Sequence, residues 1–189
     1  MKYFQIVRKI GVMVLALVWS FGAVAQDYYS GRDFIDCDTV KYRITHYSNA
    51  VYIENAANCL RPEPRYKVGS NPKVYYTYAS GMGHLALSDT AQFNKIVKEV
   101  FSEDEIKAYT DSQGDVFLTY VVDPVGGKVL EVNFRISMFN GDKTLLAIPI
   151  EKFSRLEMLI KQSLVCHISE ELKAERQSYT LSGDSLFAE

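Results

Sequence analysis

The stretch VFLTYVVDPVGGKVLEVNFRI, Val116 to Ile136, constrains the fold more than any other part of the chain. On both sides of Asp123-Pro124-Val125-Gly126 the apolar residues recur with period two, the pattern of half-buried β-strands. Asp first, Pro second and Gly last are the preferences of a type I turn. With Gly126 left-handed, the pattern predicts a three-residue hairpin loop that pairs Asp123 with Gly127. Tyr120 then faces Leu130, Leu118 faces Val132 and Val116 faces Phe134. A one-residue slip would set Tyr120 and Val122 against polar residues, so the hydrophobic pattern specifies the parity.

The flanking segments change period. Phe93, Ile96, Val97 and Val100 follow helical spacing behind Ser88-Asp89-Thr90, which predicts a helix over about 89–101. Ser102 with Glu105 has the form of a capping box, opening a second helix over about 103–109. The trio Glu103-Asp104-Glu105 suits the positive end of that helix and needs no catalytic explanation. Pro149 fits a first helical position. Behind it Phe153, Leu156, Leu159 and Ile160 form the apolar face of a helix over 149–164, with Glu151/Arg155 and Glu157/Lys161 as i,i+4 pairs on its solvent side. VKYRITHY, AVYIE, KVYYTYA and SLVCHIS read as strands, RPEPRYKVGSNP as loop, and SYTLS in the tail as an edge strand. The expected fold is a single α+β domain: an antiparallel sheet around the 116–136 hairpin, packed by two or three helices.

The first residues constrain location. Lys2, Arg8 and Lys9 precede the apolar run Ile10–Gly22 and the small residues Ala23-Val24-Ala25, the order of an export signal spanning 1–25. The mature chain is then expected to begin at Gln26, periplasmic or extracellular and without lipidation, since no cysteine follows the cleavage site. The apolar run is shorter than the roughly 20 residues of a spanning helix, and no later segment approaches that length. Removing three basic residues and no acidic one moves the formal charge from −2 to −5. A mildly acidic chain without Lys/Arg blocks offers no footprint for nucleic acid or an anionic membrane. The remaining chain divides into a Tyr-rich, mostly strand and loop part over 26–87, a helix-hairpin-helix-strand part over 88–176 and a tail over 177–189.

Three cysteines remain: Cys37, Cys59 and Cys166. In an oxidising compartment an odd number predicts one bridge, with Cys37 and Cys59 the natural pair in the loop-rich N-terminal part; three unpaired buried thiols are the alternative. Closing that loop of about 22 residues would contribute on the order of 3 kcal/mol.

The C-terminal half resembles the TonB C-terminal domain, in which a hairpin of V-x-x-x-F-x-V-D-x-x-G-x-V-x-x-V character precedes a helix and a last strand. Val116, Tyr120, Val122, Asp123, Gly127 (one position late), Val129, Val132 and the helix Ile150–Leu164 carry the likeness, which covers about Thr90 to Ile168. It implies a helix-on-sheet fold whose edge strand accepts an extended peptide. TonB proteins also keep a membrane anchor and a proline-rich spacer, which this sequence lacks, so energy transduction is not expected. The whole chain looks like the small exported proteins of unknown function common in Bacteroides-type bacteria.

Chemistry-bearing residues are sparse. His46, His84 and His167 show no metal-ligand spacing, and neither a metal nor a cofactor is expected. Cys166 and His167 are strand neighbours that point to opposite faces, a buried thiol and an outward imidazole. Ser80 near His84 lacks the first glycine of a nucleophile elbow, since Tyr78 stands there. The tyrosines are the other candidates, because Tyr offers rigid amphipathic area for peptide or glycan contact. Tyr42, Tyr52, Tyr75, Tyr76 and Tyr78 are the residues in question, with ordinary strand packing as the alternative for each. The reading that follows is a non-enzymatic binding or assembly module holding a peptide, envelope protein or glycan by a sheet edge or a Tyr-rich face. The alternative is a small hydrolase using Ser80, His84 or Cys166.

Overall fold

The computed structural model describes residues 27–60, 66–67, 74–75, 85–87, 89–123, 125–170 and 179–187. Its centre is the hairpin of β7 (Gly114–Val122) and β8 (Val129–Met138). On one side β8 pairs with β3 (Ala50–Asn55), then β2 (Val40–His46) and β1 (Phe34–Cys37). On the other, β7 pairs with β10 (Tyr179–Ser185), the edge strand expected in the tail. The result is a six-stranded antiparallel sheet in the order β1-β2-β3-β8-β7-β10. β1, β2 and β3 of the Tyr-rich N-terminal part therefore extend the same sheet as the hairpin.

One face of the sheet is apolar. Ile35, Tyr42, Ile44, Val51, Ile53, Val116, Leu118, Val132, Phe134 and Ile136 point into a core shared with the helices α1 (Thr90–Val100), α2 (Glu103–Thr110) and α3 (Ile150–Ser163). α3 lies across β8 and reaches β1, while α1 packs on α3 and α2 against β7. Each helix starts within a residue of its expected position, because its first turn is specified locally. The Asp89 carboxylate accepts the Gln92 amide at 3.0 Å. At α2, Ser102 and Glu105 form the reciprocal capping box. Pro149 stands one position earlier than expected, as N-cap of α3.

The hairpin register differs from the expected one by two residues. Tyr120 faces Val132, Leu118 faces Phe134 and Val116 faces Ile136. The loop closes between Asp123 and Lys128, whose N–H···O=C bond is 2.8 Å, and Gly127 rather than Gly126 has positive φ. The longer loop supplies one of the two residues and a bulge the other: Val121 faces Glu131 but Val122 faces Val129, leaving Leu130 unpaired. The extra residue lets both Val129 and Val132 turn inward, burying one more valine than strict alternation allows.

Tertiary contacts select Gly127. Its carbonyl accepts the Cys166 amide at 2.8 Å, and a side chain there would collide with the Cys166 carbonyl oxygen. Cys166 begins β9 (Cys166–Ile168), which pairs with β6 (Leu85–Leu87) rather than joining the main sheet, where the TonB-like arrangement placed a last strand. β4 (Tyr66–Lys67), within the segment expected to be loop, pairs with β5 (Val74–Tyr75), within the expected strand KVYYTYA, as a second small sheet. Tyr29 anchors the start of the described chain: it is fully buried, donates to the Ile148 carbonyl at 2.6 Å and packs near Phe153.

Candidate functional site

A groove of about 690 Å³ opens where the β1–β2 hairpin meets α3. Its floor is built around Glu157. Four residues after Phe153 on a helix, Glu157 falls on the same stripe as the apolar contacts and is only 4 % exposed. The expectation that it faces solvent is thereby corrected. Tyr42 donates to Glu157 Oε2 at 2.7 Å, Asn55 Nδ2 donates to Oε1 at 3.0 Å, and Lys161 Nζ stands 3.4 Å from the same oxygen. The carboxylate is thus saturated with donors, the condition under which a buried charge is tolerated. Burial pushes the Tyr42 phenol far above its ordinary range; a hydrogen bond with Ser154 opposes this and the charge of Glu157 adds to it. Tyr42 is therefore a structural donor, not an exposed recognition ring.

The groove walls carry an unbalanced charge. Asp38, Glu99 and Glu151 line it together with Arg155 and Lys161. Both bases are engaged, Arg155 with Glu99 at 3.1 Å rather than with Glu151 as its spacing predicts, and Lys161 with Glu157. Among the described residues Asp38 and Glu151 have no cationic partner, so the groove presents negative charge. Met158, 49 % exposed, adds an apolar contact.

β1 brings a free sheet edge to this groove. Asp33 accepts the Ile44 amide at 2.8 Å, and Ile35 and Cys37 face Tyr42 and Val40. In an antiparallel ladder alternate residues direct both backbone groups toward the partner strand. The N–H and C=O groups of Phe34 and Asp36 consequently point outward, and no described residue pairs with them. Cys37, the last residue of β1, lines the groove.

Cys37 and Cys59 do not form the expected bridge; both are free, Cys37 buried and Cys59 exposed. Cys37 belongs to the edge strand, while the Cys59 amide bonds Glu131 of β8 at 2.8 Å. With β2 and β3 between those strands the separation is roughly 14 Å, about twice the Cα reach of a disulfide. Burial raises the Cys37 thiol, opposed by a hydrogen bond with Ser154.

The other candidates are scattered. Tyr52 lies on the sheet face opposite the helices, directly across from Arg135, and only the backbone of Tyr75 is described. Tyr76, Tyr78, Ser80 and His84 lie outside the described residues. Cys166 is buried and His167 exposed, as alternation requires. Burial pushes the Cys166 thiol up to about 11, which keeps it protonated and poorly nucleophilic near neutrality. Among the described residues no group of His, Cys, Asp and Glu has the arrangement of a metal site, and no helix is long and apolar enough to cross a membrane. Sequence reasoning missed Asn55, Glu157 and the free edge at Phe34 and Asp36. Only Glu157 left a signal, a charged residue on an apolar helical stripe.

No protein-family model matches the chain, and no curated protein is similar to it. Among solved structures, a DUF5043 family protein from Bacteroides uniformis shares the fold with a TM-score of 0.62 at 20 % identity, over 82 % of this chain and 85 % of that one. The likeness to a domain of unknown function agrees with the Bacteroides-type character of the sequence. It is a likeness of fold alone.

Proposed function

We propose that this protein is an exported, non-enzymatic binding module that holds an extended peptide along β1, with a basic side chain of the peptide in the groove beside α3. The single observation that carries the reading is the outward-pointing backbone of Phe34 and Asp36 on a strand whose end lines an anionic groove. Strand addition gains main-chain hydrogen bonds, and a pocket beside the edge reads alternate side chains of the added strand. The surplus carboxylates Asp38 and Glu151 favour Lys or Arg at the position that enters the groove. The export part of the reading rests on the pattern of residues 1–25.

Selection of a phage-displayed random peptide library on the mature protein tests this. The expected outcome is enrichment of peptides with alternating apolar residues and a Lys or Arg. Asp36→Pro removes an outward N–H while leaving the β1–β2 ladder intact, and it should abolish capture. The double reversal Asp38→Lys/Glu151→Lys should weaken the basic peptides selectively. Capture unaffected by both changes would overturn the reading.

A further inference from the structure

We propose that the sheet face turned away from the helices binds an acidic sugar, with the carboxylate on Arg135 and the ring against Tyr52. This site is separate from the β1 groove and does not rest on the peptide reading. Among the described residues, two buried side-chain polar atoms have no hydrogen-bond partner: Glu131 Oε2 and Arg135 Nε. Both belong to β8, and past the bulge at Leu130 residues 131, 133 and 135 turn to the same outer face. An orphaned acceptor and an orphaned donor on one face of one strand weaken the fold, and packing alone gives no reason for them.

Glu131 is held in place: its Oε1 accepts the amides of Cys59 and Leu60 at 2.8 and 2.9 Å, which leaves Oε2 enclosed and unused. Arg135 is flanked in register by two aromatic residues, Tyr52 on β3 and Phe117 on β7. Its guanidinium stacks over the Phe117 ring at 4.5 Å, and Tyr47 meets the Tyr52 ring edge-on at 5.1 Å. No carboxylate of the described residues pairs with it. Glu54 and Asp115, the acids nearest in the strand register, stand opposite Asn133 and Ser137; Glu54 lies 4.0 Å from Arg43 and Asp115 accepts the Ser185 hydroxyl. A stacked, unpaired guanidinium is a preorganised fork for a planar carboxylate.

The surroundings select among carboxylates. β3, β8 and β7 are interior strands with both backbone edges consumed by the ladder. A peptide terminus laid on this face finds no main-chain partner. What the face offers is aromatic ring surface, the Thr119 hydroxyl, the Asn133 amide and the guanidinium, which line a recess of about 100 Å³. That is the liquid share of about three water molecules, space for a carboxylate with its ring at the mouth. Ring faces suit the C–H side of a pyranose, and the hydroxyl and amide suit its hydroxyl groups.

Titration of the mature protein with glucuronic acid, glucose and acetate at fixed ionic strength, followed by amide NMR shifts, tests the proposal. Glucuronic acid should shift the amides of Tyr52, Phe117, Thr119, Asn133 and Arg135, and bind at least about tenfold more tightly than glucose or acetate. Arg135→Met keeps the stem on Phe117 and removes the fork, and should lose about tenfold or more in affinity. Equal binding of acetate, equal binding of glucose, full affinity in Arg135→Met, or shifts confined to other surfaces would each overturn it. If the variant does not fold, the shift map and the three-ligand ranking on the wild-type protein decide alone.

Discussion

The phenol of Tyr42 and the carboxylate of Glu157, 115 positions apart in the chain, meet at 2.7 Å beneath the groove between β2 and α3. Because Glu157 is buried, Tyr42, Asn55 and Lys161 supply the contacts its oxygens would otherwise make with water. Tyr42→Phe removes one donor and leaves Oε2 unmet, a loss of about 1–3 kcal/mol. Urea unfolding should show the loss as a lower midpoint with an unchanged slope. A change below about 0.5 kcal/mol would mean that water replaces the phenol.

Acid stability should depend on the tie between α2 and α3. Burial alone would raise the Glu105 carboxyl, but hydrogen bonds from Lys152 at 2.7 Å and from Ser102 outweigh it and hold it below its ordinary value. A carboxyl depressed in the folded state stabilises fully above its unfolded value, about 4.3, and progressively less as pH falls through the folded value. Urea midpoints measured from about pH 6 down to pH 3 should therefore fall more steeply for the wild-type chain than for Glu105→Gln. Parallel curves would remove this pair from the acid response.

Two glycines with nearly the same φ should behave differently. Gly31 has φ +69° and open space around it, whereas Gly127 has φ +70° and the Cys166 backbone against it. Gly31→Ala should cost only the left-handed backbone, about 1–2 kcal/mol. Gly127→Ala adds a collision with a backbone oxygen and should cost clearly more, or break the Cys166–Gly127 bond. Equal thermal shifts in the two variants would contradict the contact.

Thiol chemistry separates the three cysteines. Native protein mixed with an aromatic disulfide reagent should release one fast equivalent, from exposed Cys59, and two slow ones from buried Cys37 and Cys166. Three fast equivalents should appear in denaturant without reductant. A single equivalent under those conditions would restore the bridge that the loop spacing predicted.

Much of the architecture was legible because it is written in neighbours. The capping box at Ser102 and Glu105, the Asp89 cap and the period-two strands need only residues within a few positions of one another. The tyrosines show where that legibility stops. Tyr42 stands between Lys41 and Arg43 and is buried on Glu157, whereas Tyr52 stands between the buried Val51 and Ile53 and lies beside Arg135 on the far face. Alternation gives the face of each ring, but not its partner: Glu157 and Arg135 come from segments far away in the chain.

By itself, the sequence determined a central hairpin, three helices with their starts, two of them capped by side chains, and an antiparallel α+β domain. Only the tertiary structure decided the register of that hairpin, the burial of Glu157, the separation of Cys37 from Cys59 and the free edge of β1. Periodicity and capping are interactions over a few residues, strong enough to be read one segment at a time. Register and site depend on which distant segments share a face, and there the gain of burying Val129 with Val132 outweighs the turn preference of four residues.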